Sequence, residues 1–298
     1  MEILKNINDF NAPIQEIENK LFDVQKVQYP SPMDGFNQPK AWGIYKTTGG
    51  QELGTVGSRY EPIQPKEFLH SLVNGVVESG LDLDLSKLKY DEYYGGEKIA
   101  FTLPLETIGF KNDAKVDDVI ETYLTFTTTF NGSGSSTRGI FSKRLICTNG
   151  WTSTKKDCYA TYKHTINSNV KALIHANEIT KIANVGLKNQ VERFKLMNET
   201  QVTKAQQNAL LEKITGYDFK NYKEAKHKTR SIMDKINESV AIEQRRTGTT
   251  LWGLLNGITY YTNHVASEGK DQQEYILFAS GARLNKKAET VLTGVLEN

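Results

Sequence analysis

Apolar and polar positions change period along this chain. Ile99, Phe101, Leu103 and Leu105 alternate with Lys98, Ala100, Thr102 and Pro104. Period two predicts a half-buried strand. Ile120, Leu124, Phe126 and Phe130 then face one way. Glu121, Thr125, Thr127 and Thr129 face the other, with Tyr123 among them. The β-branched density predicts a strand of about twelve residues. A further strand over 139–147 should pair antiparallel with it, across the turn-forming NGSGSSTR. Shorter strands are expected at 41–46, 53–58, 81–85 and 88–90. One helix should run from Pro65, a favourable first helical position, to about Ser79, with Phe68, Leu72 and Val76 inward and Gly80 as the stop.

From about residue 167 the period becomes helical. Ala176, Ile179, Ala183, Leu187, Val191 and Phe194 form one stripe. Further helices are predicted from near Thr203, over 222–246, over 249–265 and over 286–296. The 249–265 helix carries an apolar side and a second stripe of Trp252, Asn256, Thr259 and Asn263. Amides are poor helix formers. That stripe reads as a packed face whose amides bond to a neighbour, the alternative being the lining of a groove. Residues 1–40, with Pro13, Pro30, Pro32 and Pro39, read as an arm and linker. The predicted fold is α+β: a curved antiparallel sheet with a backing helix over 41–150, then a basic loop and helical region over 151–298. These are expected to integrate into one domain over 41–298.

Composition supports a folded chain. Of 298 residues, 38% are hydrophobic and 10% aromatic, which excludes a wholly disordered chain. The first ten residues lack the basic start and apolar run of a secretory leader, and no apolar run is long enough to span a membrane. A cytoplasmic location is therefore expected. Cys147 and Cys158 have no zinc-ligand spacing and are expected as free thiols.

Charge adds the main functional clue. The formal net charge is +2, but residues 1–150 carry −5 and residues 151–298 carry +7. Over 131–175, Arg138, Lys143, Arg144, Lys155, Lys156, Lys163 and Lys171 face a single acid, Asp157. Phe141, Trp151, Tyr159 and Tyr162 interleave with them. Cations with aromatic faces suit single-stranded nucleic acid, by phosphate contact and base stacking. Expected phosphate contacts are Arg138, Lys143, Arg144, Lys155, Lys156, Lys163 and Lys171. Expected stacking residues are Trp151, Tyr159 and Tyr162, and His164 would add charge below neutral pH. The alternative is a solvated basic surface.

Other chemistry is thinner. The Gly/Ser-rich 131–139 segment lacks the Lys-Ser/Thr ending of a phosphate loop and reads as a hairpin turn. Cys147 with His164 could be a nucleophile and its base, but Cys147 reads better as a buried strand residue. The five histidines are scattered, and Asp82, Asp84, Asp117 and Asp118 read as solvated charges at strand ends. Neither a metal site nor a cofactor is expected.

The segments SRYEPIQPKEF, TTFNGSGSSTRGIFSKRLICTNGW, YKHT and TLWGLLNGITYYTNH together resemble the phage/plasmid-like family called domain of unknown function 932. The matching residues are Tyr60, Pro62, Glu67 and Phe68; Gly132, Ser133 and Gly134; Arg144, Cys147 and Asn149; Lys163, His164 and Thr165; and Trp252, Leu254, Asn256 and Thr259. The resemblance covers about residues 41–290. It implies a mobile-element protein and brings no catalytic residues. Many relatives have Thr and Leu after the Asn, where this chain has Gly150 and Trp151. In outline the architecture is also similar to the single-strand annealing proteins of phage recombination, which assemble into rings or filaments.

Three functions are expected in order. First is a non-enzymatic nucleic-acid-binding protein, favouring single-stranded DNA, that assists recombination or replication and forms a homo-oligomer. Second is an interaction protein that modulates a host defence or replication factor, with the 222–246 helix and the N-terminal arm as its surfaces. Third is a nucleotide-acting enzyme.

Overall fold

A computed structural model describes residues 11–29, 41–115, 117–145, 149–153, 155, 157–165, 178–179 and 181–297. The fold is α+β, antiparallel strands with a C-terminal helical region, as the pattern predicts; among the described residues the strands form two open sheets where one was expected. The chain divides into two compact units. Unit 1 comprises residues 1–105, 123–139 and 159–183, and unit 2 comprises residues 106–122, 140–158 and 184–298. Strands β5 (Lys98–Lys111), β6 (Asp117–Thr129) and β7 (Ser136–Arg144) contribute residues to both.

In unit 1, helix α1 (Asn11–Lys20) leads into a sheet of order β1 (Val24–Gln28), β2 (Ala41–Lys46) and β3 (Glu52–Gly57). The N-terminal arm thus contains a helix and a paired strand, because Val24 to Gln28 find partners at Lys46 to Trp42. Residues 1–10 and 30–40 lie outside the described residues. Helix α2 (Pro65–Ser79) has proline in its first turn and ends at Gly80, whose φ of 68° suits glycine. It buries Phe68, Leu69, Leu72 and Val76, and the Phe68 ring lies 6.0 Å from Phe101 of β5. Burial of each such side chain contributes roughly 1.5–3 kcal/mol.

The strand expected at 81–85 does not form. Asp84 instead accepts from the Ser86 N–H at 3.1 Å and caps a 3-10 turn, Leu85–Lys87, because the short carboxylate offers the backbone a local partner. Strand β4 (Lys89–Tyr93) follows and pairs antiparallel with β5. The threonine side of β6 is not solvated either. Thr125, Thr127 and Thr129 are buried, and Thr127 and Thr128 pair with the hydroxyls of Thr137 and Ser136 on β7 at 2.6 and 2.9 Å. Cross-strand pairing satisfies the Thr127 and Thr128 hydroxyls, whereas those of Thr125 and Thr129 are buried with no hydrogen-bond partner among the described residues. The intervening 130–135 turn is a hairpin connection, with Gly132 at φ 73° and the Ser133 N–H on Asn131 Oδ1.

In unit 2, β8 (Gly150–Thr152) pairs with β7, while β9 (Tyr159–Tyr162) pairs with β7 within unit 1. The stripe expected from Ala176 is described only in part, as a wide π-turn at Lys181–Gly186 leading into α3 (Leu187–Glu199). Helix α4 (Lys204–Thr215) opens on a capping box from Thr203 and Gln206. Helix α5 (His227–Thr247) packs on α6 (Leu251–Tyr260), where a Cβ on Gly257 would come 2.5 Å from Val240 Cα. A π-turn, Tyr261–Val265, extends α6. The final predicted helix begins earlier, as α8 (Ser280–Leu296), and a short helix α7 (Gln272–Phe278) precedes it. No described helix is long and apolar enough to cross a membrane.

Candidate functional site

The arginines of the basic–aromatic segment, with Phe141, Trp151 and His164, are buried, while its described lysines are not. In unit 1, Arg138 of β7 is 2% exposed, its guanidinium 3.1 Å from Glu178 Oε2 and 4.3 Å from the Tyr162 ring centre. The Tyr162 hydroxyl donates to the same Glu178 carboxylate. Burial pushes the Tyr162 phenol up to about 12. Tyr159 is half-buried and Lys163 is exposed.

His164 is 4% exposed and stacks on Tyr60 with ring centres 4.9 Å apart. Its Nε2 faces the hydroxyls of Thr128 and Ser136 at 3.3 and 3.4 Å. Tyr60 donates to the Thr129 carbonyl at 2.6 Å, and the Glu61 N–H donates to the His164 carbonyl at 3.1 Å. Burial pushes the imidazole down to about 4. His164 is therefore neutral well below pH 7, contrary to the charge expected of it just under neutrality. Tyr60 and His164, two parts of the resemblance a hundred positions apart, are one packed pair.

In unit 2, Arg144 is fully buried between two carboxylates. Its Nε donates to Asp118, and its NH1 lies 2.5 Å from Glu243 Oε2. Asp118 also accepts from Trp252 Nε1 at 2.9 Å, and Arg246 reaches Glu243 at 3.0 Å. Asp118, expected as a solvated strand end, is fully buried because these donors replace its water. Lys143, the neighbour of Arg144 on an alternating strand, is half-exposed.

Asn149 donates to the Asn256 carbonyl at 3.2 Å and faces His264 Nε2 at 3.0 Å. Asn263 grips Gly150 from both sides, accepting from its N–H at 3.0 Å and donating to its carbonyl at 3.2 Å. Of the stripe's amides, Asn263 thus serves the backbone of Gly150, while Asn256 donates to the Trp252 carbonyl of its own helix at 2.8 Å. Thr259 lies fully buried in that stripe and donates to the Asn256 carbonyl at 3.0 Å. Trp151 is 1% exposed, its ring 5.5 Å from Phe194 and 6.0 Å from Trp252. A Cβ on Gly150 would meet the Phe141 ring at 2.6 Å, so the residue before Trp151 is held to glycine by that ring.

Lys155 is half-buried and pairs with Glu297 at 2.9 Å. Cys158 is a free buried thiol that burial pushes up to about 12. Cys147, Lys156 and Lys171 lie outside the described residues. Among the described residues, no cluster of three metal-ligating side chains occurs.

Solvent-facing positive charge is concentrated elsewhere in unit 2. Lys220, Lys223, Lys226, Lys228 and Lys235 are exposed, and Arg230 is half-exposed. Only Glu224 and Asp234 oppose them over 220–235, and the Asp234 carboxylate accepts from the Tyr222 hydroxyl at 2.6 Å. This run is legible as six cations against two acids, and the excess persists to Arg246, because Arg245 and Arg246 match Glu238 and Glu243.

One family model, described as Domain of unknown function (DUF932), matches residues 52–291. No curated protein and no solved structure matches the chain.

Proposed function

The chain belongs to the DUF932 family, which brings no assigned activity, and we propose that it is a non-enzymatic nucleic-acid-binding protein of a phage or plasmid that holds single strands. The observation that carries this reading is the exposed lysine run from Lys220 to Lys235, which has few acids to neutralise it. Lys228, Arg230 and Lys235 stand on α5, and Lys220, Lys223 and Lys226 on the segment before it; exposed cations in such a row can replace condensed counterions along a phosphate backbone. Lys143 and Lys163 remain accessible for the same purpose, whereas the buried Arg144 is held by Asp118 and Glu243. Phosphate contact by Arg144 would first have to break two buried ion pairs. Trp151 likewise supports the fold of unit 2 and presents no face to solvent.

Fluorescence anisotropy with a labelled single strand of about 40 nucleotides, and with its duplex, tests the reading. Tighter binding of the single strand, weakening steeply between about 50 and 200 mM salt, is the expected result. Failure to bind either at low salt, with co-purification of one stoichiometric protein, would replace it with the interaction-protein reading.

A further inference from the structure

A cleft of about 330 Å³ lies in unit 2 between α5 and the π-turn that follows α6. His227, Lys228, Ser231 and Lys235 form its polar wall, at helix positions spaced to share one face. Tyr261 and Ile232 supply aromatic and apolar surface beside them. Lys270 does not line the cleft, but its Nζ donates to the carbonyl of Ala266, a lining residue, at 2.6 Å. The same ammonium lies 4.3 Å from the Tyr275 ring centre. Among the described residues, neither Lys228 nor Lys235 is paired with a carboxylate, and Asp234 beside them is engaged by Tyr222.

We infer that this cleft seats one phosphate-bearing nucleotide of a bound single strand, with Lys228 and Lys235 on the phosphate and Tyr261 and Ile232 against the base. The inference rests on the nucleic-acid reading and names its contact site. Two exposed ammonium groups without carboxylate partners among the described residues give the cleft a positive potential, which favours an anionic occupant over a cationic one. The adjoining ring and aliphatic surface call for an occupant with a flat apolar face, which a bare phosphate lacks and a nucleobase has. The volume lies at the lower end of that of small-molecule clefts, enough for one unit and not for a folded partner.

The test compares the full chain with Lys228→Glu/Lys235→Glu, using the labelled single strand over a salt series. Both lysines are exposed, so the pair should melt like the wild type, and Lys228→Gln/Lys235→Gln serves if the charge reversal does not. Binding at least tenfold weaker is expected, with the log–log salt slope shallower by about 1.4, the value for two single-strand phosphates. A second comparison uses Tyr261→Leu with a thymidine strand and an abasic strand of equal length. Weaker binding of the thymidine strand alone is expected. If the wild type binds while the lysine pair leaves affinity and slope unchanged, the cleft assignment is overturned and the nucleic-acid reading stands. If the wild type binds no strand at low salt, both fall.

Discussion

Trp252 Nε1 donates to Asp118 Oδ2 at 2.9 Å, across 134 positions of sequence, and completes a buried charge cluster with Arg144 and Glu243. Removing one partner of such a cluster strands a charge in a dry interior. Asp118→Ala and Arg144→Ala should each destabilise the chain by about 3–5 kcal/mol. Denaturant unfolding followed by Trp fluorescence checks this. A loss below about 1 kcal/mol would show the pairs to be solvated. Charge reversal at Arg144 would thus report on folding, and it makes a poor probe of phosphate contact.

Asn263 satisfies both backbone groups of Gly150 in a buried position. Asn263→Ala leaves those groups without that partner and should cost about 1–3 kcal/mol in the same unfolding measurement. Gly150→Ala should cost a similar amount for a different reason, because its Cβ would press on the Phe141 ring. Pairing Gly150→Ala with Phe141→Leu should recover part of that loss, and independence of the two changes would refute the contact.

His164 sets a pH dependence. Its folded pKa of about 4 lies below the ordinary imidazole value of 6.5. Between these values the unfolded state binds the proton and the native state does not, so stability rises with pH through this window and is lost as pH falls. The loss from pH 7 to pH 4 is on the order of 3 kcal/mol. Urea unfolding of His164→Asn at pH 7, 5 and 4 should show a shallower decline than the wild type. Equal declines would place the imidazole in solvent.

Local signals were readable and distant pairings were not. Pro65 and Gly80 bound α2 on both sides, so its limits follow from residues at its own ends. The 131–135 turn follows from its glycines in the same way. The burial of Arg138 and Arg144 could not be read from a charge count over 131–175. Their neutralising carboxylates, Glu178, Asp118 and Glu243, all lie outside that window. A density of cations reads the same whether its partners are phosphates or distant carboxylates. The stripe Trp252, Asn256, Thr259, Asn263 is legible as a packed face, but side-chain patterns do not reveal that Asn263 meets the backbone of Gly150 or that Asn149 reaches the Asn256 carbonyl. The first helix is hidden because Pro13 reads as a linker signal, whereas it sits in the first turn of Asn11–Lys20.

Photo-crosslinking bears most directly on where a strand lies. A single strand of about 40 nucleotides carrying 5-iodouracil would be irradiated with the full chain at low salt, digested and mapped by mass spectrometry. Adducts should fall on Tyr261 and on peptides from 220–235, which are solvent-facing, and should be absent from the peptide that contains the buried Trp151. Adducts confined to the Trp151 peptide, or none anywhere despite irradiation at low salt, would contradict a strand bound along α5.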